Sequence, residues 1–165
     1  MARELNYCPR CSAVLTTVQL GGQQRTACPD PVCGYVFWNN PVPVVAAIVE
    51  TPAGVVLARN KGWPEKMFGL VTGFLEAGES PDQGVLREVE EELALTGRIA
   101  SFLGNYSFYQ ANQLLICYHV TAAGEPQPGE ELAEIRVIPV ERLRPWEFGT
   151  GPALRDWLAG RGMGP

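Results

Sequence analysis

The sequence predicts an α/β sandwich built on a mixed sheet, preceded by a small cysteine-bearing ribbon. Three observations predict it. Apolar runs of strand type recur from Val44 onward (VVAAIVE, GVVLARN, EIRVIP). Two segments, one opening at Ser80-Pro81 and one over 152–159, space their apolar residues at helical period. Four cysteines, Cys8, Cys11, Cys28 and Cys33, stand together ahead of all of this. Strands of mixed order with two substantial helices bury their apolar faces best as a layered sandwich.

The chain has 165 residues, enough for one main domain with a small appendage. Its net charge is 13 − 18 = −5. A general nucleic-acid binder would show a basic footprint, so that class is disfavoured. If the substrate is an anion, metal ions must supply the local positive charge. The opening MARELNYCPRC has no apolar run of signal-peptide length. No stretch approaches the ~18–20 apolar residues of a membrane span. A cytoplasmic location without a membrane partner is therefore expected. In that compartment cysteines are more often metal ligands than disulfides.

Residues 1–40 form the first unit. Cys8-Pro-Arg-Cys11 is C-x2-C, and Cys28 to Cys33 is C-x4-C. Two such pairs can close a tetrahedral shell around Zn²⁺. VLTTVQLGGQQRTA between them reads as a hairpin turning at Gly21-Gly22. The layout is that of a zinc ribbon, and a closed four-cysteine shell makes the zinc structural. The alternative is four free, buried cysteines. Cys117, within LLICYHV, reads as a small core residue.

Asn39 to Pro43 marks a boundary, and residues 41–165 form the main domain. VVAAIVE and GVVLARN flank a turn at Thr51 to Gly54 and should pair as a hairpin. KGWPEKMF is a loop, and GLVTGF a short strand entering a glycine loop. Ser80 can cap the following helix, and Pro81 suits its first position. Val85, Leu86, Val89 and Leu93 make the helix's apolar face. Strands follow at 99–109, 113–121 and 134–139, and a last helix turns Leu154, Trp157 and Leu158 inward.

The stretch Gly73 to Leu95 carries seven acidic residues and one basic residue, Arg87. Glu88, Glu91 and Glu92 share one helical face, where like charges oppose the helix. A hard divalent cation with oxygen ligands would relieve them. Taken alone, such a run is more simply a solvated helix face.

The fuller pattern decides between these. Gly73-x5-Glu79-x7-Arg87-Glu88-Val89-x-Glu91-Glu92-x-Ala94-Leu95 resembles the Nudix box at every position but one. Ala94 stands where the family has a helix-ending glycine, and Gly97 is expected to take over that role. The resemblance implies a Nudix α/β/α sandwich that hydrolyses a nucleoside diphosphate linked to another moiety. It implies Mg²⁺ or Mn²⁺ held by Glu88, Glu91 and Glu92, with a carbonyl ligand from Thr72. Arg87 and Glu79 would pair to fix loop to helix. Glu91, Glu92, Glu131 and Glu134 are all candidates for the base.

The ribbon and the wording VTGFLEAGE are similar to NADH pyrophosphatases, and PGEELAEIRVI to enzymes acting on FAD or ADP-ribose. GNYSFYQANQ lacks the Ser-Gln-Pro-Trp signature of the NADH enzymes, and Gln110 replaces a proline frequent in ADP-ribose pyrophosphatases. FAD, NADH and ADP-ribose therefore stand together as the substrate class. His119 is expected to be structural. Trp63 and Phe108 are candidate stacking residues, against the simpler reading of packing. Two rivals remain: a nucleotide-sensing module, and an enzyme acting on nucleotide-capped RNA through the ribbon. The ribbon's charge of 3 − 2 = +1 gives the RNA contact little support. A homodimer interface is a further use for it.

Overall fold

The computed structural model describes residues 5–163. The chain divides into two compact units, Met1–Asn40 and Pro41–Pro165.

In the first unit, β1 (Thr16–Leu20) and β2 (Gln23–Ala27) form an antiparallel hairpin, and β3 (Val36–Phe37) pairs with β2. The turn uses Gly21 and Gly22 at φ of 57° and 76°. A two-residue turn with both φ values positive matches the twist of the strands it joins. Among the described residues of this unit only Cys8 and Ala27 are buried. So small a core cannot hold a fold by apolar burial alone.

The second unit holds a six-stranded mixed sheet. Its strands are β4 (Val42–Thr51), β5 (Gly54–Asn60), β6 (Val71–Phe74), β7 (Gly97–Phe108), β8 (Gln113–Ala122) and β9 (Leu132–Ile138). The order is β7-β8-β4-β5-β9. β4 and β8 are parallel from Val42 to Glu50, and the other pairings are antiparallel. The far side of β4 is shared. Its first half, Val44 to Ala47, pairs with β6, and its last residues, Val49 to Thr51, pair with β5. The sheet is therefore forked, and β6 ends beside the glycine loop.

β4 reads as an unbroken apolar run because both its faces are covered. Val45, Ala47 and Val49 face one layer with Val85, Val89 and Leu93 of α1 (Pro81–Leu93). Ile48 faces the other with Leu154, Trp157 and Leu158 of α2 (Gly151–Gly160). Val44, Ala46 and Cys117 join Ala153 there, so Cys117 is core. The α/β/α layering is as expected, with β4 starting two residues early.

At the start of α1 the Ser80 N–H donates to Gln83 Oε1 at 2.9 Å, and the Ser80 hydroxyl to the same oxygen at 3.0 Å. The helix does not end at Gly97. Ala94 takes the left-handed conformation itself, at φ 54° and ψ 32°, with its N–H on the Glu90 carbonyl. Gly97 instead opens β7, where a Cβ would approach Val120 Cγ1 to 2.6 Å. Its glycine serves close packing of strand on strand.

Candidate active site

The four N-terminal cysteines are free, and their sulfurs all lie within 4.8 Å of one another. Cys8 and Cys33 sulfurs are 3.6 Å apart, and Cys11 and Cys28 sulfurs 3.4 Å. The donor set, four soft sulfurs on two tight knuckles, suits a tetrahedral zinc.

In the second unit a cavity of about 880 Å³ opens over the fork of the sheet. Its lining includes six carboxylates, Glu76, Glu88, Glu91, Glu92, Glu130 and Glu131. It also includes six aromatics, Trp63, Phe68, Phe74, Phe108, Trp146 and Phe148. Thr72 and Gly73 of β6 border it as well.

Arg87 organises the carboxylates around it. Its Nε and Nη2 donate to the two oxygens of Glu79, at 3.1 and 2.7 Å. Nη2 also reaches the Phe74 carbonyl at 3.2 Å, which ties α1 to the end of β6. Nη1 donates to Glu88 at 2.8 Å and to Glu91 at 3.0 Å. Glu79 further accepts the Glu76 N–H at 2.8 Å. The Arg87 hydrogen bonds, then that of Glu76, hold the Glu79 carboxyl below the usual carboxylate range. Glu88 is pushed the other way by burial, against the pull of Arg87. Gly73 lies close beside it, and a Cβ there would push the Glu88 carboxylate out of its present place.

Glu92 is different from its neighbours. It is 6% exposed, and its Oε2 is buried with no hydrogen-bond partner among the described residues. Burial, then the charges of Glu88, Glu131 and Glu91, pushes its carboxyl up to about 8. A buried carboxylate oxygen without a donor is costly. A divalent cation is the kind of group that would satisfy this oxygen and offset the charges of Glu88, Glu131 and Glu91 that act on it. Glu88 and Glu91 are drawn onto Arg87 rather than converging with Glu92.

Glu131 arrives from the loop before β9. That loop docks on α1 through Gln127 N–H to the Leu93 carbonyl and Gly129 N–H to the Glu92 carbonyl, both at 2.8 Å. A Cβ on Gly129 would run into the Glu91 carbonyl, so glycine is needed there. Glu134, the other distal candidate, is paired with Arg59 at 3.3 Å and Arg136 at 2.8 Å and does not line the cavity. His119 also lies outside it, 2.7 Å from Glu50, which Arg161 meets at 2.9 Å. Trp63 and Phe108 both border the cavity. Residues 143–150 carry no periodic signal and no sequence expectation, yet they supply Trp146 and Phe148. Two aromatics beside a Gly-Thr-Gly turn were the signal available.

Comparison with known proteins agrees with this geometry. A family model described as NUDIX domain matches residues 40–158. NAD-capped RNA hydrolase NudC of Mycobacterium tuberculosis is 39% identical over 129 residues, covering 78% of this chain and 41% of that protein. The Pseudomonas aeruginosa protein of the same name is 29% identical over 135 residues, covering 81% and 47%. The chain thus spans less than half the length of these curated relatives. A crystal structure of a NUDIX hydrolase from Nitrosomonas europaea superposes with a TM-score of 0.79 at 24% identity, over 97% of this chain and 95% of that one. An ADP-ribose pyrophosphatase from Streptococcus suis gives 0.61 at 17% identity, over 74% and 92%. The last two likenesses speak for the fold alone.

Proposed function

Because this chain belongs to the NUDIX domain family, we propose that it is a pyrophosphatase acting on a nucleoside diphosphate linked to a second moiety, of the FAD, ADP-ribose or NADH class. The products are a nucleoside monophosphate and the phosphorylated second moiety. The observation that carries this is Glu92: a buried carboxylate oxygen without a partner among the described residues, in the lining of a cavity rich in both carboxylates and aromatics.

Glu88, Glu91 and Glu92 would hold Mg²⁺ or Mn²⁺, with Thr72 offering its backbone carbonyl. The cation supplies charge neutralisation on the diphosphate oxygens and a more acidic bound water. Arg87 is the positioning residue. Its grip on Glu79 and Phe74 keeps α1 and the glycine loop in register, and a bound cation would have to draw Glu88 and Glu91 off their contacts with it. Glu131 borders the cavity and can take a proton from the attacking water, which favours it over Glu134. Trp63 and Phe108 offer faces for planar rings. The four cysteines would hold a structural Zn²⁺. A cytoplasmic small-molecule enzyme is the simplest setting; the described helices are none long and apolar enough to cross a membrane.

The test is a panel of FAD, NADH, ADP-ribose, diadenosine polyphosphates and nucleoside triphosphates with Mg²⁺ or Mn²⁺, products identified by mass. Monophosphate release from the first three is expected. No turnover on any of them would return the chain to the nucleotide-sensing alternative. The activity named for the two NudC relatives favours a second reading, removal of a nucleotide cap from RNA. Turnover of an NAD-capped oligonucleotide at a kcat/KM above that of the free dinucleotide would establish it.

A further inference from the structure

We propose that Phe68, backed by Arg136, is the wall of the cavity that receives a neutral, electron-rich ring of the substrate, a purine base. Phe68 borders the cavity and Arg136 does not. The Arg136 guanidinium nevertheless lies 4.1 Å from the centroid of the Phe68 ring, well inside the ~6 Å reach of a cation–π contact. It covers one face of the ring from outside the cavity's lining, and on this proposal the other face is the one offered to the substrate.

The guanidinium is not free to wander. Arg136 Nε donates to Glu134 Oε1 at 2.8 Å. The other oxygen of Glu134 accepts from Arg59 Nη2 at 3.3 Å. Arg136 pairs across the sheet with Leu57, and Glu134 with Arg59, so β5 and β9 fix the whole group. A surface arginine needs no such frame to stay in solvent. The frame fixes one face of one aromatic ring.

The physical effect follows from the ring quadrupole. A cation on one face draws electron density toward itself and lowers it on the opposite face. The face left to the cavity then stacks more favourably on an electron-rich ring and less favourably on a cationic one. Arg136 is on this account a positioning residue that acts through Phe68.

The proposal rests on the hydrolase reading for its turnover assay but not for its binding assay. Binding of AMP to the full chain with Mg²⁺ would be measured by calorimetry, with ribose 5-phosphate as the control that lacks the ring. Arg136→Gln should weaken AMP about two- to fivefold. Arg136→Lys should recover most of that, and Phe68→Leu should lose more than Arg136→Gln. Ribose 5-phosphate should bind all of them equally. In turnover of an adenine dinucleotide, Arg136→Gln should raise KM and leave kcat unchanged. Unchanged AMP affinity in both Arg136→Gln and Phe68→Leu overturns the proposal, as does equal weakening of AMP and ribose 5-phosphate. AMP binding that follows the expected order without any turnover would sink the hydrolase reading alone. If Arg136→Gln does not fold, the Phe68→Leu comparison of the two ligands decides.

Discussion

Glu92 is the residue on which the chemistry turns. Its carboxyl is raised from an ordinary 4.5 to about 8, chiefly by burial. In the metal-free protein the native state thus binds a proton that the unfolded chain releases. Stability from this group is complete below about 4.5 and lost as pH rises through about 8. Thermal melts in chelator should fall across that window, and added Mg²⁺ should restore the upper end. Glu92→Gln should flatten the dependence and remove most turnover while preserving the fold by circular dichroism. Near-normal turnover by that variant would refute the metal role. Cation binding must displace the Glu92 proton, so apparent Mg²⁺ affinity should tighten as pH rises toward about 8 and then level off.

At the level of elements, the end of α1 offers a direct experiment. Ala94 holds a left-handed conformation that disfavours a side chain by about 1–2 kcal/mol. Ala94→Gly should relieve this, reduced by glycine's greater freedom in the unfolded chain, for a net gain of about 0.5–1 kcal/mol in chemical denaturation. Gly97→Ala should destabilise, because Val120 occupies the space its Cβ needs.

The same helix shows what was legible in the sequence. Its start and its apolar face follow from local spacing, which depends only on residues a few positions apart, whereas the loop-to-helix ion pair was implied by the family resemblance. The helix end is not where the glycine points: Ala94 takes the left-handed cap, and Gly97 is used for packing against Val120, a neighbour distant in the chain that local spacing does not reveal. Trp146 and Phe148 escaped for a related reason: they sit in irregular backbone, placed by tertiary packing. Of the four candidate bases, Glu134 is the one that the sequence could not place: β9 pairs it with Arg59 of β5, away from the cavity lining that holds Glu91, Glu92 and Glu131.

Across the whole molecule the two units differ in what holds them. The second has a core on both faces of its sheet. The first buries only Cys8 and Ala27 among its described residues, so its fold should depend on the metal. Cys28→Ser should abolish stoichiometric zinc by elemental analysis and broaden the amide resonances of residues 5–40. Dispersed resonances in a zinc-free sample would overturn that dependence.

The forked sheet has a consequence for how the chain reaches this state. The parallel pairing of β4 with β8 joins Val42 to Gln113, 71 positions apart (113 − 42). Contacts that distant form slowly, because the loop must close before they are rewarded. During synthesis β4 emerges long before its partner, leaving a strongly apolar strand with an open edge. The hairpin to β5 and the short β6 can shield only the opposite side. The cavity, whose lining draws on β4, β6 and β8, is therefore one of the last parts of the molecule to exist, and nascent chains stopped before residue 113 should be the ones most prone to aggregate.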